Sequence, residues 1–144
     1  MTNPAVRVWS AFAAHIAHLL SFRHDGRGLP QLGNPLLIVL VGLKLAFAYL
    51  VIRVVIPEVG EVNGFLKSLL ATAALYCFAL ATRRFYAFSG YLLLWLGVDV
   101  GLVGLSLLVD KIPEAFITTC YAWGLIAFIT LLFRADLNNE KNTS

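Results

Sequence analysis

The apolar and polar positions along the chain resolve into four long apolar runs separated by short polar turns. The first, Pro35 to Ile56, reads PLLIVLVGLKLAFAYLVIRVVI and lies between Asn34 and Pro57. At 1.5 Å per residue it reaches roughly 33 Å, the thickness of a bilayer's hydrocarbon core. Three more runs follow, at about 64–82, 86–109 and 115–133. The turns between them are PEVGEVN, Arg83-Arg84 with its neighbours, and DKIPE. Connections this short make consecutive helices antiparallel neighbours. The pattern predicts an all-α integral membrane protein: a four-transmembrane-helix bundle over 35–134, with a polar cytoplasmic tail over 135–144.

The first 34 residues follow a different rule. At 100° per residue Val8, Trp9, Phe12, Ile16, Leu19 and Leu20 share an arc of about 120°, while Arg7, Ser10, His18 and Ser21 take the opposite side. That predicts an N-terminal amphipathic interfacial helix resting on Trp9, Phe12, Ile16, Leu19 and Leu20. The competing expectation is a helix packed on the cytoplasmic ends of the bundle, with its apolar face on protein. HDGRGLPQLGN, residues 24–34, then breaks the helix with three glycines and a proline. His15 and His18 share a helix face, and His24 and Asp25 follow. Nothing completes a ligand set of familiar spacing, so no metal is expected.

Composition agrees with membrane insertion. Of 144 residues 60% are hydrophobic and 13% charged, with a mean hydropathy of +0.82; soluble domains are nearer half apolar and a quarter charged. The net charge of +3 is an orientation signal, because the chain carries no dense basic patch or nucleic-acid motif. Arg7, Arg23, Arg27, Arg83, Arg84, Arg134 and Lys141 all fall on one side of four crossings. Glu58, Glu61, Asp110 and Glu114 fall on the other, with Lys111. The basic end is then cytoplasmic, as are both termini. A bacterial inner (plasma) membrane is the expected setting. No cleaved signal peptide is expected, and Thr2 and the C-terminal residues carry no lipidation motif.

Two features inside the spans carry chemistry. Lys44 and Asp99 are intramembrane charges, each unfavourable in lipid by about 2.5 kcal/mol or more. Counted from Pro35 and Tyr86, their backbones differ in depth by about 6 Å, which a lysine side chain covers. An intramembrane charged pair is therefore expected, either as a structural pair or as a proton- or ion-coupled site, with Asp99 facing a cavity or another chain as the alternative. Gly90, Gly97, Gly101 and Gly104 fall within about 60° of one another on the third span, a stripe suited to close helix packing. Asp99 points about 160° away from it, so this span has two committed faces.

Cys77 and Cys120 differ in depth by about 12 Å, too far for a disulfide. No histidine lies in any span, and there is no Ser–His–Asp set, phosphate loop or HExxH. No catalytic residue, metal or cofactor is expected. The expected function is that of a non-enzymatic integral membrane subunit, an assembly or accessory component acting through helix–helix packing. The alternative is a small oligomeric transporter or channel that uses Asp99 and Lys44. Expected partners are lipids and other membrane subunits or a second copy, with no nucleic acid.

Overall fold

The structure is a computed structural model that describes residues 4–24, 28–29 and 34–143, without the side chains at 4, 5, 8, 9, 12 and 138–143. All regular structure among the described residues is helical: α1 (Pro4–Leu20), α2 (Pro35–Val54), α3 (Glu61–Thr82), α4 (Phe85–Ser106) and α5 (Glu114–Thr143), with one 3-10 turn at Pro57–Val59. Four of them, α2, α3, α4 and α5 over Glu114–Leu137, are long and apolar enough to cross a membrane.

Local chemistry sets the ends. Asn34 caps α2, its side chain accepting from the Leu36 amide at 3.0 Å, and Pro35 occupies the first turn where its missing N–H is harmless. Pro57 biases Ile56 away from helix, so α2 stops at Val54. Arg83 closes α3 in a left-handed conformation at φ 57°. α4 ends at Ser106, earlier than the apolar run predicts, with Leu107 and Leu108 in a turn. The polar tail differs more: α5 continues unbroken to Thr143. No glycine or proline interrupts residues 134–143, and Asp136 ties the helix to the α3–α4 turn. Its carboxylate accepts from Arg84 at 2.9 Å and from the Tyr86 hydroxyl at 2.7 Å.

The helices gather around α4, which packs on α2 and α3 at one side and on α1 and α5 at the other. α5 does not pack on α2 or α3 among the described residues. The bundle is thus a fan around one helix, with a gap between α3 and α5. The core is correspondingly α4-centred: Leu92, Leu93 and Leu94 are wholly enclosed, with Leu40 from α2, Ala127 and Leu131 from α5, and Leu19 from α1.

α1 takes the protein-packed arrangement, but far from the ends of the bundle. Ile16 lies against Gly97, more than halfway along α4. Leu19 is 1% exposed, and the Leu20 carbonyl accepts from the Trp123 indole of α5 at 3.0 Å. Phe22 stacks on Trp123 with ring centroids 4.7 Å apart. The chain then turns back, since His24 meets His15 and Leu29 approaches Gly90 near the basic end. The side chains of Trp9 and Phe12 lie outside the described residues.

Candidate functional site

Lys44 sits in the middle of the buried face of α2, on the helical repeat formed by Leu37, Leu40, Ala48 and Val51. It is 2% exposed. Its ammonium reaches α3, donating to the hydroxyl of Ser68, to that of Thr72 at 3.2 Å and, more weakly, to the Ser68 carbonyl at 3.5 Å. Thr72 is oriented for this: its hydroxyl donates to the Ser68 carbonyl one turn back at 2.8 Å, leaving its lone pairs toward Lys44. The Tyr91 ring of α4 covers the ammonium, 5.5 Å from its centroid, a cation–π contact. Two hydroxyl acceptors, one carbonyl acceptor and an aromatic face hold this charge in place.

Asp99 comes from α4 and is 3% exposed. Its Oδ1 accepts from the Tyr121 hydroxyl of α5 at 3.2 Å. Trp95, one turn earlier on the same face, meets Tyr121 edge-on, with ring centroids 6.2 Å apart. Gly124 lets the Trp95 ring lie directly on the α5 backbone, where any side chain would overlap it.

Lys44 and Asp99 are therefore brought together, but not into contact: no salt bridge joins them among the described residues, and each is held by its own partners. What they share is a cavity of about 300 Å³ in the gap between α3 and α5, lined also by Ser68, Tyr91, Trp95 and Tyr121. It runs toward the acidic end, past Ile52 and Gly64, to Ile56 and Val59. At Gly64 an added methyl group would stand 2.9 Å from Ile52, so α2 and α3 approach closely along this part of the lining. Lys67, exposed, lines the same space. Clefts of about 600 Å³ lie elsewhere: one between the acidic-end turns, the other an apolar groove beside Tyr49 and Phe65. Neither contains Lys44 or Asp99.

The glycine stripe divides in two. Gly90 is covered by Leu131 of α5, with Leu29 next to it, and Gly97 by Ile16 of α1. Gly101 and Gly104 meet no side chain among the described residues, and Gly101 borders an apolar cleft of about 440 Å³ with Leu20, Phe116 and Trp123. Of the histidines, His15 meets His24, Nδ1 to Nε2 at 2.7 Å, while His18 is exposed. Among the described residues no three His, Cys, Asp or Glu side chains are arranged to hold a metal. Cys77 and Cys120 are free thiols.

Sequence reasoning found the two charges but missed Ser68, Thr72, Tyr91 and Tyr121, which hold them. A signal existed. Ser68 and Thr72 are spaced i, i+4 on one face of α3, and Tyr121 lies at the depth of Asp99. Matching depths across all four helices, rather than between α2 and α4 alone, exposes both sets. No protein-family model matches this chain, and no curated protein or solved structure is significantly similar to it.

Proposed function

We propose that this chain is an integral membrane protein with both termini cytoplasmic, whose four spans hold a site for a small polar solute or ion reached from the outer side. One observation carries the reading. Lys44 and Asp99 are both buried and line one cavity, yet they do not neutralise each other by contact. A purely structural pair would gain by closing that gap, because an unpaired charge at mid-bilayer is unfavourable. Charges kept apart around a space fit a ligand better than they fit a staple. The lining extends to Ile56 and Val59 at the acidic end, which the positive-inside rule assigns to the outside. In this frame α1 enters from the cytoplasm: Gly97, which Ile16 covers, is about 18 Å from Phe85 along α4. Leu29 and Asn34 bring the chain back, a re-entrant arrangement in which non-spanning backbone is sheltered by protein.

The test is flux into proteoliposomes, read with pH- and ion-sensitive dyes and with labelled small solutes. Saturable flux that Asp99→Asn abolishes supports the reading; a folded protein with no flux of any kind overturns transport as the function.

A second reading has its own observation. Gly101 and Gly104 are the half of a packing stripe that no described side chain covers, which favours a non-enzymatic subunit that packs against another membrane helix. Purification in mild detergent separates the two, since a subunit of this kind runs as a stoichiometric complex that Gly101→Leu dissolves.

A further inference from the structure

Asp99 offers the cavity a group that the protein itself leaves unused. Its Oδ1 accepts from Tyr121, whereas no hydrogen bond from a described residue reaches Oδ2. No fully enclosed side-chain oxygen or nitrogen lacks a partner among the described residues. Oδ2 is therefore accessible, and the space it opens on is the cavity lined by Lys44, Trp95 and Tyr121. Lys44 is not free to meet it, because its ammonium is engaged by Ser68 and Thr72 and covered by Tyr91. The second cation is different. Lys67, one residue before Ser68 on α3, is exposed and has a long, uncommitted side chain on the same cavity.

The surroundings discriminate between ligand classes. A carboxylate oxygen on a cavity that Trp95 and Tyr121 also line suits an ammonium group, through a charge-assisted hydrogen bond and cation–π attraction. A simple cation, however, adds a third positive charge to Lys44 and Lys67 in a poorly screened space. A simple anion is attracted by the lysines but confronts the open oxygen of Asp99. A molecule with both charges meets neither objection.

We infer that the cavity binds a small zwitterion of the amino-acid type, its ammonium on Asp99 Oδ2 between Trp95 and Tyr121 and its carboxylate toward Lys67. The inference rests on the reading of this cavity as a solute site and names what that solute is. The volume of about 300 Å³ limits the ligand to one amino acid or a short ω-amino acid.

The experiment is isothermal titration calorimetry on the full chain in nanodiscs, with L-alanine, L-leucine and 4-aminobutyrate beside the singly charged methylammonium and acetate. Saturable heat is expected from at least one zwitterion and from neither singly charged probe. Lys67→Gln, at an exposed position, should leave the empty protein's unfolding temperature unchanged and weaken the zwitterion by about tenfold, the loss of one charged contact. Asp99→Asn should abolish binding, and Lys67→Gln keeps the test decisive if that variant fails to fold. Binding of methylammonium or acetate as tight as that of the zwitterions overturns the ligand class while leaving a solute site in place. Zwitterion binding that Lys67→Gln does not weaken overturns the assigned pose. Silence from all five probes overturns the inference outright, and the flux assay then decides separately whether the site handles an inorganic ion.

Discussion

α3 and α4 are both 22 residues long, adjacent in the chain and closely matched in hydropathy, yet their places in the fold are opposite. Within the most apolar window of each, 61% of α4 is buried by protein and 17% of α3. α4 touches every other helix and encloses side chains on all sides from Ala87 to Leu94. α3 buries three residues, Gly64, Thr72 and Ala79, one lining the cavity and one beneath Lys44. Hydropathy reports what a helix tolerates as solvent, and lipid and a protein interior are nearly the same solvent to leucine. Small residues and polar groups on more than one face are what distinguish a central helix from a peripheral one. α4 has both, in the glycine stripe and in Asp99. α3 is held largely by polar bonds, α4 by packing.

The contrast has measurable consequences, and the largest lies in the packed core. Leu92→Ala should destabilise the protein by about 2–3 kcal/mol, the cavity part of a Leu→Ala loss, since lipid matches leucine's transfer term. Leu70→Ala on α3, where the side chain is 59% exposed, should stay within about 0.5 kcal/mol. Unfolding in detergent measures both, and equal effects would erase the distinction between the helices.

Gly124→Ala comes next. Its methyl group would overlap the Trp95 ring, which is stiff and wedged between Tyr91 and Tyr121. Overpacking of this kind destabilises by about 1–3 kcal/mol, and the expected readout is a lower unfolding temperature with altered Trp fluorescence.

Thr72→Val tests the polar side of the comparison. It removes one acceptor from Lys44 and keeps the shape of the side chain, for an expected loss of about 1–2 kcal/mol. Leu69→Ala, on the lipid-facing surface of the same helix, is the control with little effect. If both are silent, α3 is not anchored through Lys44.

The smallest effect is expected at the open half of the stripe. Gly101→Ala should change the stability of the isolated chain by no more than about 0.5 kcal/mol, because no described residue packs there. A larger loss, with a change of oligomer size on a sizing column, would instead reveal a partner helix on that face.

How much of this was legible in advance varies by element. Periodicity, prolines and turn chemistry placed α2, α3, α4 and the start of α5 to within a few residues, because those ends are bounded by strong breakers such as Pro57 or by charged turns. The polar composition of the tail marks it off from the last span, although nothing in residues 134–143 breaks a helix and Asp136 has partners in Arg84 and Tyr86. For α1 the amphipathic arc was visible, but an arc cannot say whether lipid or protein covers it. Gly97 and Trp123 supply that answer through contacts distant in sequence.

The candidate site shows the same division. Residue types and spacing alone determined that one lysine and one aspartate lie at similar depth in two spans of the same direction, since hydropathy, helical rise and hairpin connectivity are one-dimensional quantities. Whether those charges touch depends on rotation about each helix axis and on the gap left where α5 fails to meet α3. Those are set by side-chain packing summed over all five helices, so only the tertiary structure decided that Lys44 turns to Ser68 and Thr72, Asp99 turns to Tyr121, and a cavity lies between them.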